Sequence, residues 1–130
     1  MKNAYRPIIG ALFACAAFST ASMAQEAKRT EIKRSDLTGT NMEIIVQIVE
    51  SPPGTVTPKH FHNGEEVAYV LEGGTIQFPG KAPEPRTPGQ IVVNKREAPH
   101  AGFTVVGDKT IKSLNMYIVD KGKPLAVPVQ

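Results

Sequence analysis

Between Met42 and Asp120 the apolar residues come in short β-branched and aromatic runs, each stopped by Gly, Pro, Asp or Lys. The runs are "MEIIVQIVE", "EVAYVLEGG", "TIQF", "QIVVN", "AGFTVVG" and "TIKSLNMYIVD". None sustains the 3.6-residue apolar period of a helix. Six or seven short strands between tight turns predict an all-β sandwich or barrel, of which the jelly roll is one form. The proline-dense "KAPEPRTPG" is excluded from any helix or central strand and reads as a rigid loop. "EIIVQIV" and "MYIVD" are apolar on consecutive residues, so both faces of those strands should be covered. In so small a domain one face lines the barrel. The other is then expected to meet a second copy of the chain, a homodimer.

The N-terminus has a different texture. Lys2 and Arg6 precede an apolar stretch from Ile8 to Phe18, and Ser22-Met23-Ala24 gives the small-x-small pattern of a cleavage site. Residues 1–24 therefore read as a secretory signal cleaved near Ala24, and the stretch is shorter than the ~20 residues of a stable membrane span. Export to the periplasm or exterior is expected, with lipoprotein processing at Cys15 as a minor alternative. Removing the signal removes the single cysteine, leaving neither a disulfide nor a thiol nucleophile. The chain has 15 basic and 12 acidic residues, and loss of Lys2 and Arg6 leaves 13 against 12. Such a balance gives no footprint for nucleic acid or an anionic membrane. Residues 25–41 read as a polar leader with a short leading strand near Glu31 to Lys33, residues 42–120 as the folded domain, and 121–130 as an extended C-terminal tail.

Chemistry concentrates in "PGTVTPKHFHNGEEVAYVLEGG", residues 53–74. A His-x-His pair on extended backbone turns both imidazoles to one side, with Cα atoms about 6 to 7 Å apart. His60 and His62 are thus half of a metal site, or a solvated pair on a polar hairpin. Asn63-Gly64 is turn-prone, and Glu66 follows on the next strand, where Glu65 is the competing carboxylate. His100, after Ala98-Pro99, leads into "AGFTVV" and can supply a third nitrogen.

The spacing Gly54-x5-His60-x-His62-x3-Glu66-x6-Gly73 resembles the first motif of the cupin superfamily at every fixed position. The second motif of that superfamily, Gly-x5-Pro-x-Gly-x2-His-x3-Asn, is met at Gly89 and His100. Lys95, Glu97 and Thr104 stand where the family has Pro, Gly and Asn. The likeness is to small single-domain bacterial cupins of the quercetin-dioxygenase-like kind. It implies a double-stranded β-helix, a jelly-roll barrel, with His60, His62, Glu66 and His100 holding one divalent transition metal ion. Three imidazoles and a carboxylate suit Fe, Mn, Ni, Cu or Zn.

If Glu66 faces the metal, strand parity turns Ala68 and Val70 into the same cavity. A mostly apolar pocket with few acid–base groups is expected. All three histidines are then committed, which leaves none as a general base, and proton transfer falls to metal-bound hydroxide, to a shifting Glu66, or to a pocket tyrosine or lysine that the sequence does not identify. Ser51 and Ser113 likewise lack a free histidine for a hydrolase triad. Three functions follow for a small-molecule ligand: a metal-dependent oxygenase on an enolic or phenolic substrate, a Lewis-acid lyase, isomerase or decarboxylase, and a non-catalytic binder of a small molecule or metal. The oxygenase is the first expectation, resting on the resemblance.

Overall fold

The computed structural model describes residues 25–129; the expected signal segment, including Cys15, lies outside the described residues. Eleven strands follow one another: β1 (Lys28–Asp36), β2 (Met42–Ser51), β3 (Val56–Thr57), β4 (His60–Phe61), β5 (Gly64–Glu72), β6 (Gly74–Gln77), β7 (Glu84–Arg86), β8 (Ile91–Asn94), β9 (Phe103–Val106), β10 (Ile111–Asp120) and β11 (Val127–Pro128). They build a five-stranded sheet in the order β1-β2-β10-β5-β8, a four-stranded sheet β3-β9-β6-β7, and the small pair β11-β4. Every ladder is antiparallel, and residues of both larger sheets line one interior cavity, which makes a jelly roll.

The six apolar runs become β2, β5, β6, β8, β9 and β10. The strands that sequence reading did not separate are β3, β4, β7 and β11, of two or three residues each. Segments that short carry no alternation. The "KAPEPRTPG" segment is not wholly loop: Glu84–Arg86 pairs with β6 at the edge of its sheet, where Pro85 costs no ladder bond with a further strand. The leading strand is also longer than expected. Lys28–Asp36 pairs with β2 along its length, with a register shift between Glu31 and Lys33. All nine of its residues are exposed, so backbone hydrogen bonding rather than apolar burial defines it.

Residues directly opposed in neighbouring strands present their side chains on the same face. Two inward rows of the five-stranded sheet therefore explain the interior. One runs Gln47–Asn115–Ala68–Val92 and the next Ile45–Tyr117–Glu66–Asn94. Two small cores flank the cavity: Ile45, Tyr117 and Val119 with Leu125 packed on them, and Ile76, Val105 and Ile111 with Phe78 and Phe103. The motif glycines have steric reasons. Gly54 turns with φ +85°, a left-handed backbone, and a Cβ on Gly73 would lie 2.4 Å from the Arg86 carbonyl oxygen.

Candidate metal centre

His60 and His100 are fixed to each other through their backbones. His60 N–H donates to the His100 carbonyl at 3.1 Å and His100 N–H to that of His60 at 2.8 Å. His62 follows β4, and the Glu97 N–H donates to its carbonyl at 3.0 Å, tying the loop before His100 to the same segment. The imidazole centroids lie 4.5 to 4.8 Å apart, and one nitrogen from each ring falls within 4.8 Å of the others. The three histidines form a group able to hold a metal ion. Glu66, not Glu65, turns inward: Glu66 is 6% exposed and its neighbour is exposed. Its Oε2 lies 3.2 Å from His62 Nε2 and 3.3 Å from His100 Nε2. Ala68 and Val70 line the cavity beside it, as parity requires.

The tautomers follow from the backbone. Each Nδ1 lies against a carbonyl oxygen: His60 against Pro58 (2.8 Å), His100 against Ala98 (3.0 Å), and His62 against Leu125. A carbonyl only accepts, so each Nδ1 carries the proton, and in the neutral ring each Nε2 carries a lone pair. His100 Nε2 is buried and makes no bond of hydrogen-bond geometry, although Glu66 Oε2 is only 3.3 Å away. In the neutral rings the Nε2 lone pairs thus converge with a carboxylate oxygen, His62 Nε2 standing at hydrogen-bond distance from Glu66 Oε2. That is an electrostatic demand for a cation, and nitrogen donors oriented by backbone carbonyls are what a transition metal takes.

The carboxylate is clamped from behind. Asn94 Nδ2 donates to Glu66 Oε2 and Asn115 Nδ2 to Oε1, both at 2.7 Å. Burial pushes the Glu66 carboxyl up, but contacts with His100, His62 and Asn94 outweigh it and hold the carboxyl well below the usual range. Burial, with the neighbouring His100 and His62, lowers His60. In His100 burial again lowers, but Glu66 and the Ala98 carbonyl outweigh it and raise the ring above its ordinary value. Tyr117 stands edge-on to His62, centroids 5.1 Å apart, and burial together with the Glu66 charge pushes its phenol up.

The cavity measures about 340 Å³ and opens beside His60, Glu66 and His100. Its wall includes Val49, Val70, Ile76, Phe78, Phe103 and Val105. Two guanidinium groups, Arg29 and Arg86, also line it, charged but not acid–base groups at neutral pH. Arg29 comes from the polar segment whose extent was underread, and Arg86 from the short strand β7.

The loop before His100 departs from the motif's Pro and Gly yet keeps a glycine-like backbone. Glu97 adopts φ 57° and Ala101 φ 61°, both in the left-handed region. Asn94, Asn115, Tyr117 and Leu125 carry no motif. The one local signal is Asn115, an amide set between the apolar Leu114 and Met116.

A family model described as a cupin domain matches residues 47–117. Among solved structures, the polyketide cyclase RemF from Streptomyces resistomycificus is 27% identical with a TM-score of 0.61, over 82% of this chain and 73% of that one. DMSP lyase DddQ from Ruegeria pomeroyi DSS-3 is 20% identical with a TM-score of 0.60, over 85% and 55%. This chain spans about half the length of the lyase. A protein with a double-stranded β-helix domain from Klebsiella pneumoniae is 15% identical, TM-score 0.59, over 81% and 85%. Among curated proteins no significant match is found.

Proposed function

The chain belongs to the cupin family, and from that premise we propose that it is a metal-dependent enzyme acting on a small molecule beside its three histidines. His60, His62 and His100 are the proposed nitrogen ligands and Glu66 the oxygen ligand. The observation that carries the reading is the convergence of three Nε2 lone pairs and a carboxylate oxygen, each ring locked by a backbone carbonyl. Bound there, a divalent ion supplies a Lewis acid that polarises a carbonyl or enolate oxygen. The protein's own side chains do the rest. Asn94 and Asn115 keep Glu66 ionised and oriented, and the apolar wall excludes water from a ligand held against it.

Lewis-acid chemistry without an oxidant is the leading reading, supported by the likeness to a polyketide cyclase at 27% identity. Oxygen-dependent chemistry is the second, favoured by the shortage of bases. The histidines are committed, Glu66 is held anionic by two amides, and burial keeps the Tyr117 phenol protonated. Elemental analysis of the purified protein tests the premise. Near-stoichiometric metal is expected, lost in a His60→Ala/His62→Ala variant; metal retained by that variant overturns the ligand assignment. Conversion of a panel of β-diketones and flavonols, equal under air and under nitrogen, supports the leading reading. Oxygen uptake supports the second. A ligand-induced rise in melting temperature without turnover by any panel member identifies a binding protein instead.

Homodimerisation belongs to the same proposal. Tyr69, Leu71, Ile91, Val93, Met116 and Ile118 are exposed at outward positions of β5, β8 and β10, and the pairs Tyr69↔Ile91 and Met116↔Val67 make them contiguous. An apolar band of this kind on one sheet supports a face-to-face contact between two copies. Export is proposed as well, supported by the charge, apolar stretch and cleavage pattern of residues 1–24; cell fractionation tests it.

A further inference from the structure

Arg29 has no task in the metal centre. It sits on β1 directly opposite Val49, which is itself opposite Ser113, so all three share the inward face. Arg29 is exposed and its side chain lines the cavity, and its one side-chain bond is a long one, Nη1 donating to the Tyr117 hydroxyl at 3.4 Å. Arg34, Arg86 and Arg96 each pair with a carboxylate, whereas Arg29 pairs with none among the described residues. The nearest acid of the cavity wall, Glu66, has both oxygens taken by Asn94 and Asn115. Most of the five N–H donors of the guanidinium are therefore unused. The cavity they share has Val49, Val70 and Ile111 with Ser51 and Ser113 among its lining residues. Arg86, also on the cavity wall, is held by Glu84 at 3.1 Å.

A guanidinium fork with free donors beside apolar surface matches one kind of ligand: a planar anion carried on an apolar body. The bidentate geometry excludes a neutral amide of the same shape. We infer that Arg29 is an anion subsite of this cavity and receives the carboxylate of a small organic acid whose body lies against the Val49–Val70–Ile111 wall. The inference names a substrate class for the proposed enzyme. It rests on that reading only in treating the cavity as the binding site, because Arg29 itself is no metal ligand.

Calorimetric titration with benzoate and phenylacetate, against benzamide and phenylacetamide, tests it on protein stripped with EDTA and on zinc-loaded protein. In both forms the acids should bind about tenfold or more tightly than the amides, as a charge-assisted bidentate pair implies. Arg29→Gln should bring acid affinity down to that of the amide, Arg29→Lys should restore part of it, and Arg86→Gln should leave the ratio unchanged. Melting curves check that each variant is folded. Equal binding of acid and amide, an acid preference that survives Arg29→Gln, or no binding of either acid overturns the subsite. An acid preference confined to zinc-loaded protein and indifferent to Arg29 overturns it too, while leaving the metal reading intact. Failure to load zinc with the acid preference preserved does the reverse.

Discussion

His62 donates its Nδ1–H to the carbonyl of Leu125, a residue 63 positions further along the chain. That bond makes the C-terminal tail part of the candidate metal centre. The tail is anchored twice more: Leu125 packs on Ile45, Tyr117 and Val119, and Val127–Pro128 pairs with His60–Phe61. The strand carrying one histidine and the ring orientation of the next both depend on it. Deleting residues 124–130 should therefore weaken metal binding by about 10- to 100-fold, the usual cost of losing an outer partner of a ligating histidine. Chelator competition with zinc measures this. Unchanged affinity would mean that His62 orients without the tail.

Asn115 presents a second dependence. Its amide donates to Glu66 Oε1 at 2.7 Å and accepts from Ser113 at 2.6 Å, in a buried setting. Asn115→Leu keeps the volume but leaves one oxygen of a buried carboxylate without its donor. Metal-free protein should lose about 1.5 to 3 kcal/mol, the range for hydrogen bonds to charged groups. Urea unfolding supplies the number, and a loss below ~0.5 kcal/mol would show that water replaces the amide.

These dependences mark where sequence reading stops. His60, His62, Glu66 and His100 were legible because two imidazoles at period two and a carboxylate across a turn are local patterns. The choice of Glu66 over Glu65 follows from burial once β5 is oriented. Asn115, Tyr117 and Asn94 reach Glu66 through pairings between strands distant in sequence, Tyr117↔Glu66 and Glu66↔Asn94. No short window encodes those registers. Arg29 was hidden differently: a strand held by backbone bonds and ion pairs, with no buried residue, has no apolar periodicity to read.

The charge on Glu66 gives metal-free protein a defined acid limit. Its folded value is depressed, so the unfolded chain binds the proton more readily, and stability falls as protons are added. The contribution is complete above the ordinary carboxyl value of 4.5 and is lost progressively as pH drops below it. His60, also lowered, acts in the same sense below 6.5, while the contribution of raised His100 is complete below 6.5 and is lost only as pH rises above it. The clean window is therefore below about pH 4.5, where the urea midpoint should fall between pH 5 and 3. Glu66→Gln should flatten that fall. A variant with the wild-type slope would assign the acid limit to other carboxylates.

Glu97 at φ 57° occupies the position where the family motif has glycine. A left-handed conformation costs a residue with a Cβ roughly 1–2 kcal/mol, and glycine returns about 0.5–1 of that through its more mobile unfolded state. Glu97→Gly should then stabilise the protein by about 0.5–1 kcal/mol, raising the melting temperature by a few degrees. The bond from residue 97 to the His62 carbonyl survives the change, so metal affinity should hold or improve. A destabilised variant would mean that the Glu97 side chain contributes more than its backbone costs.

Ile91 is 61% exposed and Val93 58%, on an edge strand next to Tyr69 and Val67. β-branched side chains left open on a strand edge invite pairing with another chain unless something covers them. The proposed dimer covers them with the same face of a second copy, an arrangement closed by two-fold symmetry. An Ile91→Glu/Val93→Glu variant sets four new carboxylates against one another in such an interface without touching the cavity or its ligands. Light scattering coupled to gel filtration should give a dimer for the native chain and a monomer for the variant, with metal content unchanged in both. A native monomer, or a variant that remains dimeric, would remove β8 from any contact between copies.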